Sequence, residues 1–130
     1  MIYLDSAAVV KLVHAEADSE ALRRWLSDRA DLAWISSVLV EIETFRALAR
    51  HAPDALTRLP PVLDLIDTVE LQPRIRRLAR MVTPPSVRSL DAIHLATALH
   101  LGSRLAWLVT YDKRLADAAT SAGLQVSAPT

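Results

Sequence analysis

Apolar residues recur along the chain in two rhythms, short β-branched runs and longer stretches at helical spacing, and the two alternate. "IYLD" (2–5) is a β-branched and aromatic run that ends on an acid and predicts a strand. "SAAVVKLVHAE" follows at helical spacing, and "DSEALRRWLSDR" (18–29) predicts a second helix with Asp18 or Ser19 as cap and Ala21, Leu22, Trp25 and Leu26 turned inward. "LAWISS" (32–37) predicts a strand. "SVLVEIETFRALARHA" (37–52) predicts a helix, with Val38, Ile42, Phe45 and Ala49 as its apolar stripe.

Residues 53–67 read as helix broken at Pro60-Pro61, because proline removes a donor and clashes with the preceding turn. "TVEL" (68–71) is a weak strand. "PRIRRLARMV" (73–82) opens with proline at a favourable first-turn position. Residues 89–102 form an alanine-rich helix between a Ser89 cap and a Gly102 stop. A strand over 105–110, a helix over 112–123 and a final short strand complete the chain. Strands alternating with helices imply an α/β fold in three layers, a central parallel sheet flanked by helices on both faces.

The length of 130 residues fits one domain, 1–130, with a core of its own. Fifteen basic residues balance fifteen acidic ones, so only local charge can point to a nucleic-acid partner. The absence of cysteine excludes disulfides and thiolate metal sites and favours a cytoplasmic setting. Neither a signal peptide nor a charge-free span long enough for a membrane helix is expected. With only Gly102 and Gly123, the glycine-rich phosphate and dinucleotide loops are excluded.

The chemistry then rests on carboxylates. Asp5 ends the first strand and Asp112 follows the strand over 105–110, so both belong at the carboxyl edge of a parallel sheet, where functional groups gather. Asp91 lies in a helix first turn and shares its face with Ala92, Leu95 and Ala98, an otherwise apolar setting. Each acid also has a plainer reading: Asp112 as a helix cap, Asp91 as a complement to the helix dipole, Asp5 as a turn starter. Glu41 and Glu43 both lie within 37–52. Periodicity does not choose between them, and an ion pair of Glu43 with Arg46 competes with any site role. Acids crowded at one edge persist when a hard divalent cation neutralises them. Oxygen ligands suit Mg2+ or Mn2+, which points to phosphodiester chemistry.

On these residues the chain resembles the PIN-domain nucleases, and among them the VapC-type toxins of bacterial toxin–antitoxin pairs. The resemblance is carried by "IYLDSAAVVKL", "SSVLVEIETFRAL", "RSLDAIHLATAL" and "LVTYDKRLADAA", in family order and spacing. It implies a PIN-like fold and a Mg2+- or Mn2+-dependent endoribonuclease that cuts structured RNA, transfer or ribosomal, leaving a 5′ phosphate and a 3′ hydroxyl. It also implies silencing by a cognate VapB-type antitoxin, and a homodimer. Carried over by motif, the catalytic and metal-holding acids are Asp5, Glu43, Asp91 and Asp112, Glu43 being chosen because Ser37, Glu43 and Arg46 match the family's serine–glutamate–arginine spacing. Two departures stand out. Ala7 replaces a residue that is often a hydroxyl or amide, and Pro60-Pro61 interrupts a segment that is usually smoother helix.

An acidic centre repels a phosphate backbone, so an RNase needs compensating bases. Arg46, Arg74, Arg77 and Arg80 are the candidates for RNA contact, within a stretch between Glu70 and Asp91 that also carries Arg76 and Arg88 and no acid. Ser6 and Thr110 are candidate hydrogen-bond partners of an acid or of a metal-bound water. Lys11 and Lys113 read as surface residues. His94 reads as a packed or hydrogen-bonded histidine, and Trp25, Trp34 and Trp107 as core rather than base-stacking platforms. The alternatives are a catalytically silent PIN module that binds RNA or protein, opposed by the full set of acids, and a phosphoacceptor receiver or dehalogenase-like phosphatase. The last two need a further acid beside Asp5, where Ser6 and Ala7 stand.

Overall fold

The computed structural model describes residues 1–130. Five short strands, β1 (Ile2–Leu4), β2 (Trp34–Ser37), β3 (Ile66–Val69), β4 (Trp107–Val109) and β5 (Val126–Ser127), pair in parallel in the order β3-β2-β1-β4-β5. Seven helices surround them: α1 (Ser6–Val13), α2 (Ser19–Ser27), α3 (Leu39–His51), α4 (Leu59–Leu63), α5 (Pro73–Arg80), α6 (Ser89–Leu101) and α7 (Lys113–Ser121). The expected three-layer architecture is therefore present, with most element ends moved by one to three residues.

The period of the strands builds the layers. In β1, Ile2 and Leu4 point to one face, where they pack with Ala8 and Val9 of α1, Leu22 and Leu26 of α2 and Val40 of α3. Tyr3 points to the other, among Leu95 and Ala98 of α6 and Leu115 and Ala119 of α7. A third cluster, Val13, Leu48, Ala55 and Leu59, closes the corner between α1, α3 and α4.

Strand order reverses at β1, whose neighbours β2 and β4 lie on opposite sides of it. Chains leaving β1 and β4 at their carboxyl ends run to opposite faces, α1 to one and α7 to the other. This opens a crevice, the place where open parallel sheets put their ligands. Leu4 and Val109 are register partners, so Asp5 and Thr110, the next residues, stand side by side there.

Three local expectations change. The stripe Val38, Ile42, Phe45 and Ala49 marks α3 as a helix but is not its buried face. Val40, Thr44 and Leu48 are buried, whereas Ile42 is 60 % exposed and Phe45 53 %. Thr44 is accommodated because its hydroxyl donates to the Val40 carbonyl at 2.6 Å. Ser89 does not cap α6: the cap position is Arg88, with no side-chain hydrogen bond. The third strand lies two residues earlier than 68–71, because Trp34 to Ser37 pair with Ile66 to Val69. Pro60 and Pro61 do divide their segment, sitting in the first turn of α4 after a 3-10 turn over Pro53–Arg58, where a missing N–H costs nothing.

Candidate active site

Asp5 is only 5 % exposed. It is the cap of α1, its Oδ1 accepting from the Ala8 N–H at 2.9 Å. Burial pushes its carboxyl up from the ordinary range. The Thr110 hydroxyl, the Ala8 N–H and His94 pull back, and the charge of Asp91 pushes further up. Asp112 plays the matching part across the crevice: it caps α7, accepting from the Leu115 N–H at 2.9 Å, while its own N–H donates to Thr110 Oγ1 at 3.1 Å. The plain capping reading is therefore correct for Asp112, and Asp5, read as a turn starter, is a helix cap as well; capping is what fixes these carboxylates at the edge.

Asp91 sits in the first turn of α6 and caps nothing. Its carboxyl is raised by partial burial and by the charges of Asp112 and Glu43, with His94 and Arg88 opposing. Glu43 rises from α3 and is half-buried. Ser6 Oγ donates to its Oε1 at 2.7 Å, and His94 Nε2 lies 2.7 Å from the same oxygen. Burial pushes the Glu43 carboxyl up, but the bonds from His94 and Ser6 outweigh it and hold the group below its usual value.

Asp91 thus feels each of the other three acids across the crevice. Glu41 is exposed on the far side of the same helix, and Glu43 pairs with His94 rather than with Arg46. Ser6 touches Glu43 directly, and Thr110 stands between Asp5 and Asp112. His94 is buried at 1 % exposure and hydrogen-bonded, as read from the sequence, yet its grip on Glu43 was not signalled there. It follows Asp91 by one helical turn, so its spacing was a clue, but its partner lies on another helix.

No three Asp, Glu or His side chains stand close enough to enclose an ion among themselves. The donor chemistry nevertheless fits a hard cation. All four groups are carboxylates, and two of them are raised by burial and then further by neighbouring negative charge, a cost a cation would relieve. Mg2+ keeps several waters and takes only one or two carboxylates, so an open set of acids suits it better than a closed cage.

The arginines lie outside the cluster. Arg74, Arg76, Arg77 and Arg80 project from the exposed side of α5, and Arg76 and Arg80 line a groove of about 650 Å³ that reaches Ser89 and Ala92 at the start of α6. Arg74 approaches His100 at 3.4 Å, and Arg76 donates to the Leu71 carbonyl. Arg46 is exposed beside Glu43 in a smaller groove with Ile42, Arg50 and Leu90. Lys11 spans to Glu16 and the Ala17 carbonyl and lies over the Tyr111 ring, and Lys113 is exposed. Trp25 and Trp107 pack edge to face at 5.5 Å beneath Arg29. Trp34 and Trp107 begin their strands, so they stand at the amino edge, opposite the acids.

Comparison with known proteins agrees with this geometry. Ribonuclease VapC35 of Mycobacterium tuberculosis is 48 % identical over 99 % of this chain and 97 % of its own length. Ribonuclease VapC46 of the same organism is 44 % identical over 98 % and 97 %. Among solved structures, M. tuberculosis VapC20, described as a Sarcin-Ricin loop cleaving toxin, superposes with a TM-score of 0.73 at 14 % identity, covering 95 % of this chain and 96 % of that one. VapBC2 from Rickettsia felis, bound to a DNA fragment from its promoter, gives 0.75 at 13 % identity over 98 % of each chain. The family model of the PIN domain matches residues 2–120, and with acids, topology and relatives in agreement, this chain belongs to the PIN domain family.

Proposed function

We propose that the chain, a single PIN domain over 1–130, is the toxin of a type II toxin–antitoxin pair. It is an endoribonuclease that hydrolyses phosphodiester bonds in structured RNA and so inhibits translation. The observation that carries the reading is the convergence of Asp5, Glu43, Asp91 and Asp112 at the switch-point crevice, in a chain with relatives named ribonucleases along nearly their whole length.

Asp5, Asp91 and Asp112, with Glu43, would hold Mg2+ or Mn2+. Such a cation polarises the phosphate, lowers the pKa of water and stabilises the leaving oxygen. The protein's own part is positional. Helix caps fix Asp5 and Asp112, and α6 presents Asp91 beside them. Glu43, kept ionised, is suited to accept a hydrogen bond from the attacking water and so to orient it. Hydrolysis breaks the bond from phosphorus to the 3′ oxygen, leaving a 3′ hydroxyl and a 5′ phosphate. The α5 arginines and Arg46 would offset the acids' repulsion of the RNA backbone.

A VapB-type antitoxin is the proposed partner, and a homodimer the proposed assembly. The apolar side of α3, with Ile42 and Phe45 beside Leu90 of α6, offers the exposed surface such contacts need. No helix is long and apolar enough to cross a membrane, and the proposed site of action is the cytoplasm, where the RNA is. The test is cleavage of total cellular RNA by purified, antitoxin-free protein with Mg2+, with Mn2+ and with EDTA, with Asp91→Asn alongside. Discrete cuts that vanish with EDTA and in the variant support the reading. If no cuts appear and expression of the chain alone leaves growth unaffected, a silent binding module replaces it.

A further inference from the structure

Two oxygens of Glu43 face different worlds. Both hydrogen bonds that the protein gives this carboxylate fall on Oε1, from Ser6 Oγ and from His94, at 2.7 Å each. Oε2 takes none and stays free to accept. Behind His94 the chain of contacts continues into the core. Tyr3 Oη lies 2.7 Å from His94 Nδ1 and accepts from the Ser37 N–H at 3.1 Å. Tyr3 is wholly buried in the middle of β1, the central strand of the sheet, and its ring meets the imidazole edge to face at 5.8 Å.

The proton inventory gives this chain one consistent direction. A phenol keeps its proton at neutral pH, so the Tyr3 hydroxyl has one to give. It accepts from the Ser37 N–H on one side and keeps its own proton free to donate to Nδ1. An ionised carboxylate only accepts, so at 2.7 Å Nε2 carries a proton and donates it to Glu43. No buried side-chain polar atom is left unpaired along this path.

We propose that His94, seated on Tyr3, is a positioning residue of the nuclease site: it clamps Oε1 of Glu43 and so presents Oε2 alone to the reacting groups. This rests on the nuclease reading. His94 and Asp91 lie one turn apart on α6, so one helix both carries an acid of the site and holds a second acid that rises from α3. The relative placement of Asp91 and Glu43 is thereby locked through a single rigid element rather than through the loops between them.

The test has two arms. In the first, wild-type protein labelled with 15N at histidine is prepared free of divalent metal at neutral pH, and long-range proton–nitrogen correlation reads the His94 tautomer. A proton on Nε2 with a bare Nδ1 is expected. A bare Nε2 overturns the proposal, whereas a ring carrying both protons still presents the Nε2 donor and supports it. In the second, RNA cleavage is followed at saturating divalent cation with His94→Leu and His94→Gln, each checked for its fold by near-UV circular dichroism. His94→Leu is expected to lower kcat by about 10- to 100-fold with KM nearly unchanged. His94→Gln, whose amide reaches roughly where Nε2 stands, is expected to recover most of that loss. Wild-type kcat in folded His94→Leu, or a folded His94→Gln no better than the leucine variant, overturns the proposal. If the wild type cleaves no RNA, the nuclease reading has failed, while the tautomer arm, which needs neither RNA nor metal, still decides whether the clamp exists.

Discussion

Asp91 is held above its ordinary pKa of 3.8, first by burial and then by the charges of Asp112 and Glu43. A carboxyl raised in the fold binds its proton more readily folded than unfolded. It therefore destabilises the metal-free protein increasingly as pH rises through the window between the ordinary and the raised value, and the penalty is complete at neutral pH. Asp91→Asn is expected to melt a few degrees higher than wild type at about pH 7 and equally at about pH 3, where both side chains are uncharged. Thermal melts in EDTA at the two pH values check this. The same variant is expected to lose cleavage by roughly 100-fold or more, the scale of removing a preorganised electrostatic group. Added Mg2+ or Mn2+ is expected to raise the melting temperature of the wild type and to leave that of the variant nearly unchanged.

At the scale of elements, Asp5 and Asp112 serve two purposes, because each is also a helix cap. Substitution separates them. Asp112→Asn keeps an oxygen acceptor for the Leu115 N–H and removes the charge, so α7 should keep its stability while cleavage is lost. Asp112→Ala removes both and should in addition cost about 1 kcal/mol of folding stability. Urea unfolding beside an RNA cleavage assay distinguishes the two. For α5 the relevant measure is salt. If Arg77 and Arg80 contact phosphates, replacing either with alanine should weaken RNA binding and reduce the slope of log affinity against log salt by about 1. The inactive Asp91→Asn background allows that measurement without turnover.

Across the whole molecule, exposed large apolar side chains come together on the side of α3 that carries Ile42 and Phe45, with Leu90 of α6 in the groove lined by Ile42, Arg46 and Arg50, while Leu65 and Met81 are exposed elsewhere. Phe45→Glu is expected to reduce self-association, read as a lower mass by light scattering, with little change in melting temperature because the side chain is already half exposed. By itself the sequence determined the order and kind of the elements, since strand and helix periods are local, and it determined which acids share an edge, since parallel strands bring their carboxyl ends together. It also carried the choice of Glu43 over Glu41, through motif spacing rather than periodicity. It left open which side of α3 is buried: Val40, Thr44 and Leu48 win over Ile42 and Phe45 because α1 and the 3-10 turn after α3 meet that side, and a threonine can hide its hydroxyl on its own helix. Only the tertiary structure decided that His94 grips Glu43 with Tyr3 behind it, because residues 3, 43 and 94 come from three separate elements and meet only when the sheet is closed between its two helical layers.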